Sequence, residues 1–182
     1  MPPEKRAVLI VFGPSGAGKT TAVRRLASRQ LPGVRCFYFD SIGVPSEAVM
    51  VRDYGSPEAW QDEATRRWLA RLAGELASGE VGVLEGQTRP AFINTAAAAY
   101  PDLVMAVVMF DSAPEVRAAR LAERGQPQLH TPRMDDWAAY LRREADALGW
   151  AVIDTSHMSV KDMAERLESG VAVLRTVVAA YS

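Results

Sequence analysis

Ala7-Val8-Leu9-Ile10-Val11-Phe12, followed at once by Gly13-Pro14-Ser15-Gly16-Ala17-Gly18-Lys19-Thr20, is the stretch that decides the fold. The apolar run is too short for a helix and suits a strand buried on both faces. The segment after it has the spacing of a Walker A loop, in which glycines let the backbone bend so that successive N–H groups point at phosphate oxygens. Gly13, Ser15, Gly16, Ala17 and Gly18 form that cradle on this reading. Lys19 reaches the β and γ phosphates, and Thr20 offers its hydroxyl to Mg²⁺. Thr21 follows in the first turn of a helix whose N-terminus carries a favourable partial positive charge. The expected ligands are a nucleoside triphosphate and Mg²⁺.

Similar apolar runs recur at 34–39, 81–84, 103–110 and 150–153, with helical patterns between them at 19–29, 46–52, 57–77, 90–99, 114–124, 135–148 and 160–180. Their hydrophobicity is continuous rather than alternating, as expected of parallel strands covered by helices on both sides. The pattern predicts an α/β chain: a five-stranded parallel sheet in a three-layer fold. Ser56-Pro57-Glu58 and Asp111-Ser112-Ala113-Pro114-Glu115 supply helix-start signals in order.

The chain has 182 residues, 48% of them hydrophobic, which suits one domain with a sizeable core. Its net charge of −1 provides no global basic field, so a membrane surface or a long nucleic acid is not the expected partner. Cys36 is the only cysteine, which fits a reducing compartment and a packing role. The 7–12 run is too short for a signal peptide and leads into the phosphate loop, and no run approaches the length that spans a bilayer. A cytoplasmic protein with a small partner is expected.

Ligands of parallel sheets sit beyond the carboxyl ends of the strands. This rule directs attention to Asp40 after the second strand, Glu85 at the end of the third, Asp111 after the fourth and Asp154 after the fifth, all expected near the phosphate loop. Asp40 is the candidate base, since an attacking hydroxyl needs a carboxylate to orient it and take its proton. Glu85 stands where a Walker B acid would, suited to Mg²⁺ or to the acceptor, and Gln87 and Arg89 follow in a compact polar loop suited to an acceptor.

Arg117, Arg120 and Arg124 recur at helical spacing before the helix-breaking Gly125-Gln126-Pro127. They predict a lid over about 117–133 whose arginines neutralise phosphate charge: Arg117 binding the nucleotide, Arg120 and Arg124 acting in catalysis, and Arg133 as a further candidate. The loop 154–157 is placed to border an adenine. His130 and His157 lack companions at metal-binding spacing, so no zinc is expected. Trp60, Trp68, Leu72, Trp137, Tyr140 and Leu141 recur at helical spacing and are expected mostly in the core.

Together, 13–20, Phe39-Asp40-Ser41-Ile42 and Arg117-Ala118-Ala119-Arg120 through Gly125 resemble the nucleoside monophosphate kinase-like P-loop kinases. Among these the sequence looks most like the chloramphenicol phosphotransferase and shikimate kinase-like enzymes. The resemblance implies transfer of the γ-phosphoryl group of ATP to a hydroxyl of a small molecule, with the Asp-Ser pair supplying the base and an arginine-bearing lid closing over ATP. It also implies an acceptor-binding insertion, at about 43–79. The loop Glu85-Gly86-Gln87-Thr88-Arg89 matches none of these enzymes, which leaves the acceptor open. A kinase of nucleotides or nucleic-acid ends and a nucleotide-dependent switch are the alternatives.

Overall fold

The computed structural model describes residues 5–180. Five parallel strands, β1 (Arg6–Phe12), β2 (Val34–Tyr38), β3 (Val81–Gly86), β4 (Leu103–Asp111) and β5 (Ala151–Asp154), form one sheet in the order β2-β3-β1-β4-β5. The helices among the described residues are α1 (Lys19–Ala27), α2 (Glu47–Tyr54), α3 (Pro57–Glu75), α4 (Pro90–Ala97), α5 (Pro114–Glu123), α6 (Pro132–Ala147) and α7 (Val160–Ala179). None of them is long and apolar enough to cross a membrane.

The apolar run of β1 explains the layers. Val8, Ile10 and Phe12 join Trp68, Leu72 and Ile93 in a core on the α3, α4 and α6 side. Ala7, Leu9 and Val11, alternating with them, join Val23, Leu26 and Leu167 in a second core under α1 and α7. Successive strand side chains point to opposite faces, so a strand covered on both sides is apolar at every position. β1 lies between β3 and β4, with Phe12 opposite Gly86 on one side and Met109 on the other. The chain leaves β1 toward β2, whereas β3 crosses to β4, and the diverging connections open a crevice at the carboxyl ends of the strands.

Among the boundaries that differ from the sequence reading, three bear on that crevice. β3 continues to Gly86 and thus carries Glu85 within the sheet, paired in register with Val11. The segment after β2 turns immediately into a 3₁₀ helix, Phe39–Ile42, where the apolar pattern predicted strand to residue 39. α6 begins at Pro132 rather than at 135, because Thr131 caps it by accepting a hydrogen bond from the Met134 N–H at 3.2 Å.

The 3₁₀ turn is anchored from the core. Phe39 is 2% exposed and its carbonyl accepts the Trp68 indole N–H at 3.0 Å. A Cβ on Gly86 would stand 2.3 Å from the Phe39 Cβ, so the glycine ending β3 makes room for this turn. Trp68, at 1% exposure, also meets the Phe37 ring edge-on with centroids 6.0 Å apart. Replacing Trp68 by Ala is therefore expected to lower the stability to chemical denaturation by about 3–5 kcal/mol, measured from urea melts.

Candidate active site

The loop after β1 follows a path open to glycine. Gly13 has φ +147°, and a Cβ there would lie 2.0 Å from the Phe110 carbonyl oxygen of β4. Gly16, with φ +84°, sits against the backbone of Arg117, 3.0 Å from where its own Cβ would be. Side chains from two other segments and the loop's own lysine hold it. Gln87 Nε2 donates to Ser15 Oγ at 2.7 Å, Thr155 Oγ1 donates to the Ala17 carbonyl at 2.8 Å, and Lys19 Nζ donates to the Pro14 carbonyl at 2.8 Å.

A cavity of about 390 Å³ opens beside this loop, lined by Lys19, Thr20, Asp40, Glu85, Gln87 and Arg124, with Thr21 at its margin. The sequence places these residues more than a hundred positions apart, and the crevice between diverging connections brings them together. Lys19 is 7% exposed, and burial pulls its pKa from 10.5 down to about 8. Glu85 and, less strongly, Asp40 support its charge, whereas Arg124 opposes it. Glu85 is equally buried, and desolvation raises its pKa against the stabilising Lys19 charge and a hydrogen bond from the Thr20 hydroxyl. Thr20 and Glu85 thus present two adjacent oxygen donors. Such a pair fits Mg²⁺, which keeps several waters and takes further oxygens from substrate phosphates.

The arginines divide. Arg124 is exposed, lines the cavity and donates to Gln126 Oε1 at 2.7 Å. Arg120 lies on the other side of the loop, donating to the Gly16 carbonyl at 3.2 Å and to the Thr155 carbonyl at 2.6 Å, beside a hollow shared with Gly18, Thr21 and Met163. Arg117, expected on the nucleotide, is instead 3% exposed and does not line the Lys19 cavity. Its guanidinium joins Asp111 at 3.3 Å and Asp135 at 2.5 Å, because the first turn of α5 puts it against the tip of β4.

Asp111 lies beside the phosphate loop as expected, its carbonyl 3.0 Å from the Thr155 hydroxyl that donates to Ala17, but the Asp111 and Asp154 carboxylates are engaged elsewhere. Asp111 is held by Arg117 and by Arg142 at 3.3 Å, and Asp154 accepts from the Ser156 hydroxyl. Both carboxylates line a different hollow with Arg117 and Arg142, which shares no residue with the Lys19 cavity. Within the loop expected to border adenine, the residue that reaches the phosphate loop is the fully buried Thr155, with its N–H donating to the Asp111 carbonyl at 2.7 Å. Nothing in the sequence distinguished it from its polar neighbours. His157 is exposed.

A second, larger cleft of about 560 Å³ adjoins the first, and Gln87 and Met134 line both. Its walls come from α2 and α3, within the 43–79 segment, from Arg89, and from the start of α6, which sequence reading had left outside this region. Trp68, Leu72 and Leu141 are core residues as expected. Trp137 and Tyr140 pack against that core without being sealed in it. They are half-buried, stacked with centroids 5.4 Å apart, and line this cleft together with Trp60. Arg89 lies over Trp137 at 5.1 Å, donates to Gln61 Oε1 at 2.8 Å and pairs with Glu58 at 3.5 Å. Gln61 in turn donates to the Gln87 carbonyl at 3.2 Å, and the buried Thr88 and Thr65 hydroxyls are 2.6 Å apart, fastening the loop after β3 to α3.

No protein-family model and no curated protein sequence matches the chain. Its structure is similar to the tunicamycin resistance protein of Deinococcus radiodurans, with a TM-score of 0.64 and 21% identity, covering 92% of this chain and 96% of that one. It is also similar to a gluconokinase from Sinorhizobium meliloti 1021, with a TM-score of 0.59 and 20% identity over 97% of both chains. A shikimate kinase from Acinetobacter baumannii, solved with shikimate, gives a TM-score of 0.59 and 19% identity over 94% of both chains. At such identities the fold is what is shared: the chain has the α/β fold of P-loop small-molecule kinases.

Lys19 is one of three lysines, which makes it resolvable by NMR of ¹³Cε-labelled lysine. The ligand-free protein is expected to show one lysine titrating near pH 8, and Glu85→Gln to move that midpoint lower by removing the charge that best supports the proton. Between about pH 8 and 10.5 the unfolded chain holds a proton that folded Lys19 has lost, so folding stability from this group rises with pH across that window. Denaturation midpoints of Lys19→Met are expected to lack the rise.

Proposed function

We propose that the protein is an ATP-dependent kinase that transfers the γ-phosphoryl group to a hydroxyl of a small molecule. The observation that carries this reading is the continuity of the two cavities. The one holding Lys19, Thr20, Asp40, Glu85 and Arg124 shares Gln87 and Met134 with a cleft large enough for a metabolite-sized acceptor. The kinase names of the gluconokinase and shikimate kinase neighbours support it.

In this reading the phosphates of ATP lie along the loop N–H groups and the start of α1, with Lys19 against the β and γ oxygens and Arg124 approaching from the exposed segment after α5. Lys19 keeps its proton when phosphate arrives, because added negative charge acts in the same direction as Glu85. Thr20 and Glu85 hold Mg²⁺, which when bound neutralises phosphate charge. Asp40 orients the acceptor hydroxyl and takes its proton as the oxygen bonds to the γ-phosphorus. The bond from that phosphorus to the bridging β-phosphate oxygen breaks, and ADP leaves. Gln87 links the two halves, holding Ser15 of the phosphate loop with its amide while its carbonyl is held by Gln61 of the acceptor cleft.

Arg120 takes a positioning role in this scheme, fixing the loop through Gly16 and Thr155 at the edge of the adjoining hollow. Arg117 supports the loop from beneath through its backbone. The lone, half-buried Cys36, its thiol pKa pushed up to about 11 by burial, suits a packing residue in a cytoplasmic enzyme.

ADP release measured with a panel of hydroxyl compounds tests the proposal. Turnover is expected to depend on the acceptor, and a slow nucleotide hydrolysis indifferent to every compound would favour the switch instead. Asp40→Asn is expected to lower turnover on the order of 10²–10⁴-fold with little change in ATP affinity, whereas Arg124→Ala should weaken both. Undiminished turnover in Asp40→Asn would remove the base from the mechanism.

A further inference from the structure

Thr155 is the first residue after β5 and is fully buried, although its neighbours Asp154 and Ser156 are not. Its N–H donates to the Asp111 carbonyl at 2.7 Å, which ties its backbone to the end of β4. Its hydroxyl carries one proton, with the Ala17 carbonyl at 2.8 Å and the Asp111 carbonyl at 3.0 Å in reach. Asp111 already receives the Thr155 N–H, so Ala17 is the acceptor that depends on the hydroxyl. Arg120 closes the same corner. Its Nη1 donates to the Thr155 hydroxyl and to the Gly16 carbonyl, both at 3.2 Å, and its Nη2 to the Thr155 carbonyl at 2.6 Å. Ser156 cannot stand in for Thr155, because its hydroxyl donates to Asp154 and accepts the Ala113 N–H.

A trans peptide points its C=O and its N–H in opposite directions. Holding the Ala17 carbonyl toward Thr155 therefore turns the Gly18 N–H away from it, and Gly18 lines the Lys19 cavity. Gly18 is confined on its other side, with φ +92° and the Met163 sulfur 2.8 Å from where a Cβ would be. It also caps α1 with no side-chain hydrogen bond, so no capping hydroxyl or carboxylate fixes the peptide that enters the helix. Thr155 fixes that peptide from outside the loop, through the carbonyl.

We propose that Thr155 is a positioning residue for nucleotide binding, resting on the kinase reading of the site. Its hydroxyl sets the Ala17–Gly18 peptide so that the Gly18 N–H faces the polyphosphate chain. Thr155 itself touches neither the nucleotide nor the acceptor, and acts through the loop.

Calorimetry on the full chain tests this with a non-hydrolysable ATP analogue in the presence of Mg²⁺, and with inorganic tripolyphosphate in competition against it. Thr155→Val keeps the branched shape and removes the hydroxyl. It is expected to weaken both probes about tenfold and by the same factor, because what is lost concerns the phosphate chain. Thr155→Ser keeps the hydroxyl, and both probes are expected to bind it within about threefold of the unaltered protein, even where the lost methyl lowers its melting temperature. Thr155→Ala carries the same expectation as Thr155→Val and decides the matter if the valine variant does not fold. A merely structural residue would lower the melting temperature and leave both affinities unchanged in the folded variants. That result overturns the proposal, as does a serine variant as weak as the valine one. Weakening of the analogue alone would place Thr155 on the base side, and tripolyphosphate that does not compete would deny the cradle its hold on the phosphate chain; either overturns the proposal and leaves the kinase reading intact. Failure of the analogue to bind the unaltered protein would bring down the kinase reading and the proposal with it.

Discussion

An ammonium group held almost out of water at the end of a doubly buried strand is the constraint around which this site is organised. Burying Lys19 is unfavourable, as its depressed pKa records, and an uncompensated buried ion costs several kcal/mol. Compensation arrives from two directions. Glu85 reaches it from the neighbouring strand β3, and Asp40 from the turn after β2, so the half of the sheet on one side of β1 supplies the countercharge. The Pro14 carbonyl, 2.8 Å from Nζ, holds the side chain back along its own loop. The same features that reduce the cost of the lysine leave a strongly polar cavity with a cation, two carboxylates and a hydroxyl within reach of one another.

The loop that presents the lysine has little freedom of its own. Gly13 lies against β4, Gly16 against α5, Ala17 accepts from Thr155 after β5, and Ser15 accepts from Gln87 after β3. Contacts from three strand ends and one helix meet within a few residues, so the cradle is preorganised by the sheet rather than by the loop sequence. Preorganisation of this kind is what electrostatic stabilisation of a transferring phosphoryl group requires, since donors already in place need not reorient during the reaction. Arg124, by contrast, lines the same cavity from an exposed segment.

Coupling between the two cavities follows from the same economy of contacts. The loop 86–89 is bonded to the phosphate loop by the Gln87 amide and to α3 through Gln61 and the Thr65–Thr88 pair. The start of α6 contributes both Asp135, bonded to Arg117 beneath Gly16, and the neighbouring Met134, Asp136 and Trp137 of the cleft. An occupant of the cleft thus touches elements that bear directly on the phosphate loop.

The sequence by itself determined the sheet, its five strands and the phosphate loop, because continuous apolar runs and obligatory glycines express local constraints: burial on both faces and a backbone path closed to other residues. It also pointed to Asp40 and Glu85, since strand ends are legible and ligands gather there. Only the tertiary structure decided which polar residues share a cavity. Arg117, Asp111 and Asp154 were expected at the same site as Arg124, yet Arg117 pairs with Asp111, Asp154 is held by Ser156, and all three line a separate hollow. Trp137 and Tyr140 have the helical spacing of core residues, yet line a cleft. Periodicity says that a side chain faces the interior of the fold; whether it meets another side chain or a hollow depends on what the opposite element brings, and that is set by contacts between segments far apart in the chain.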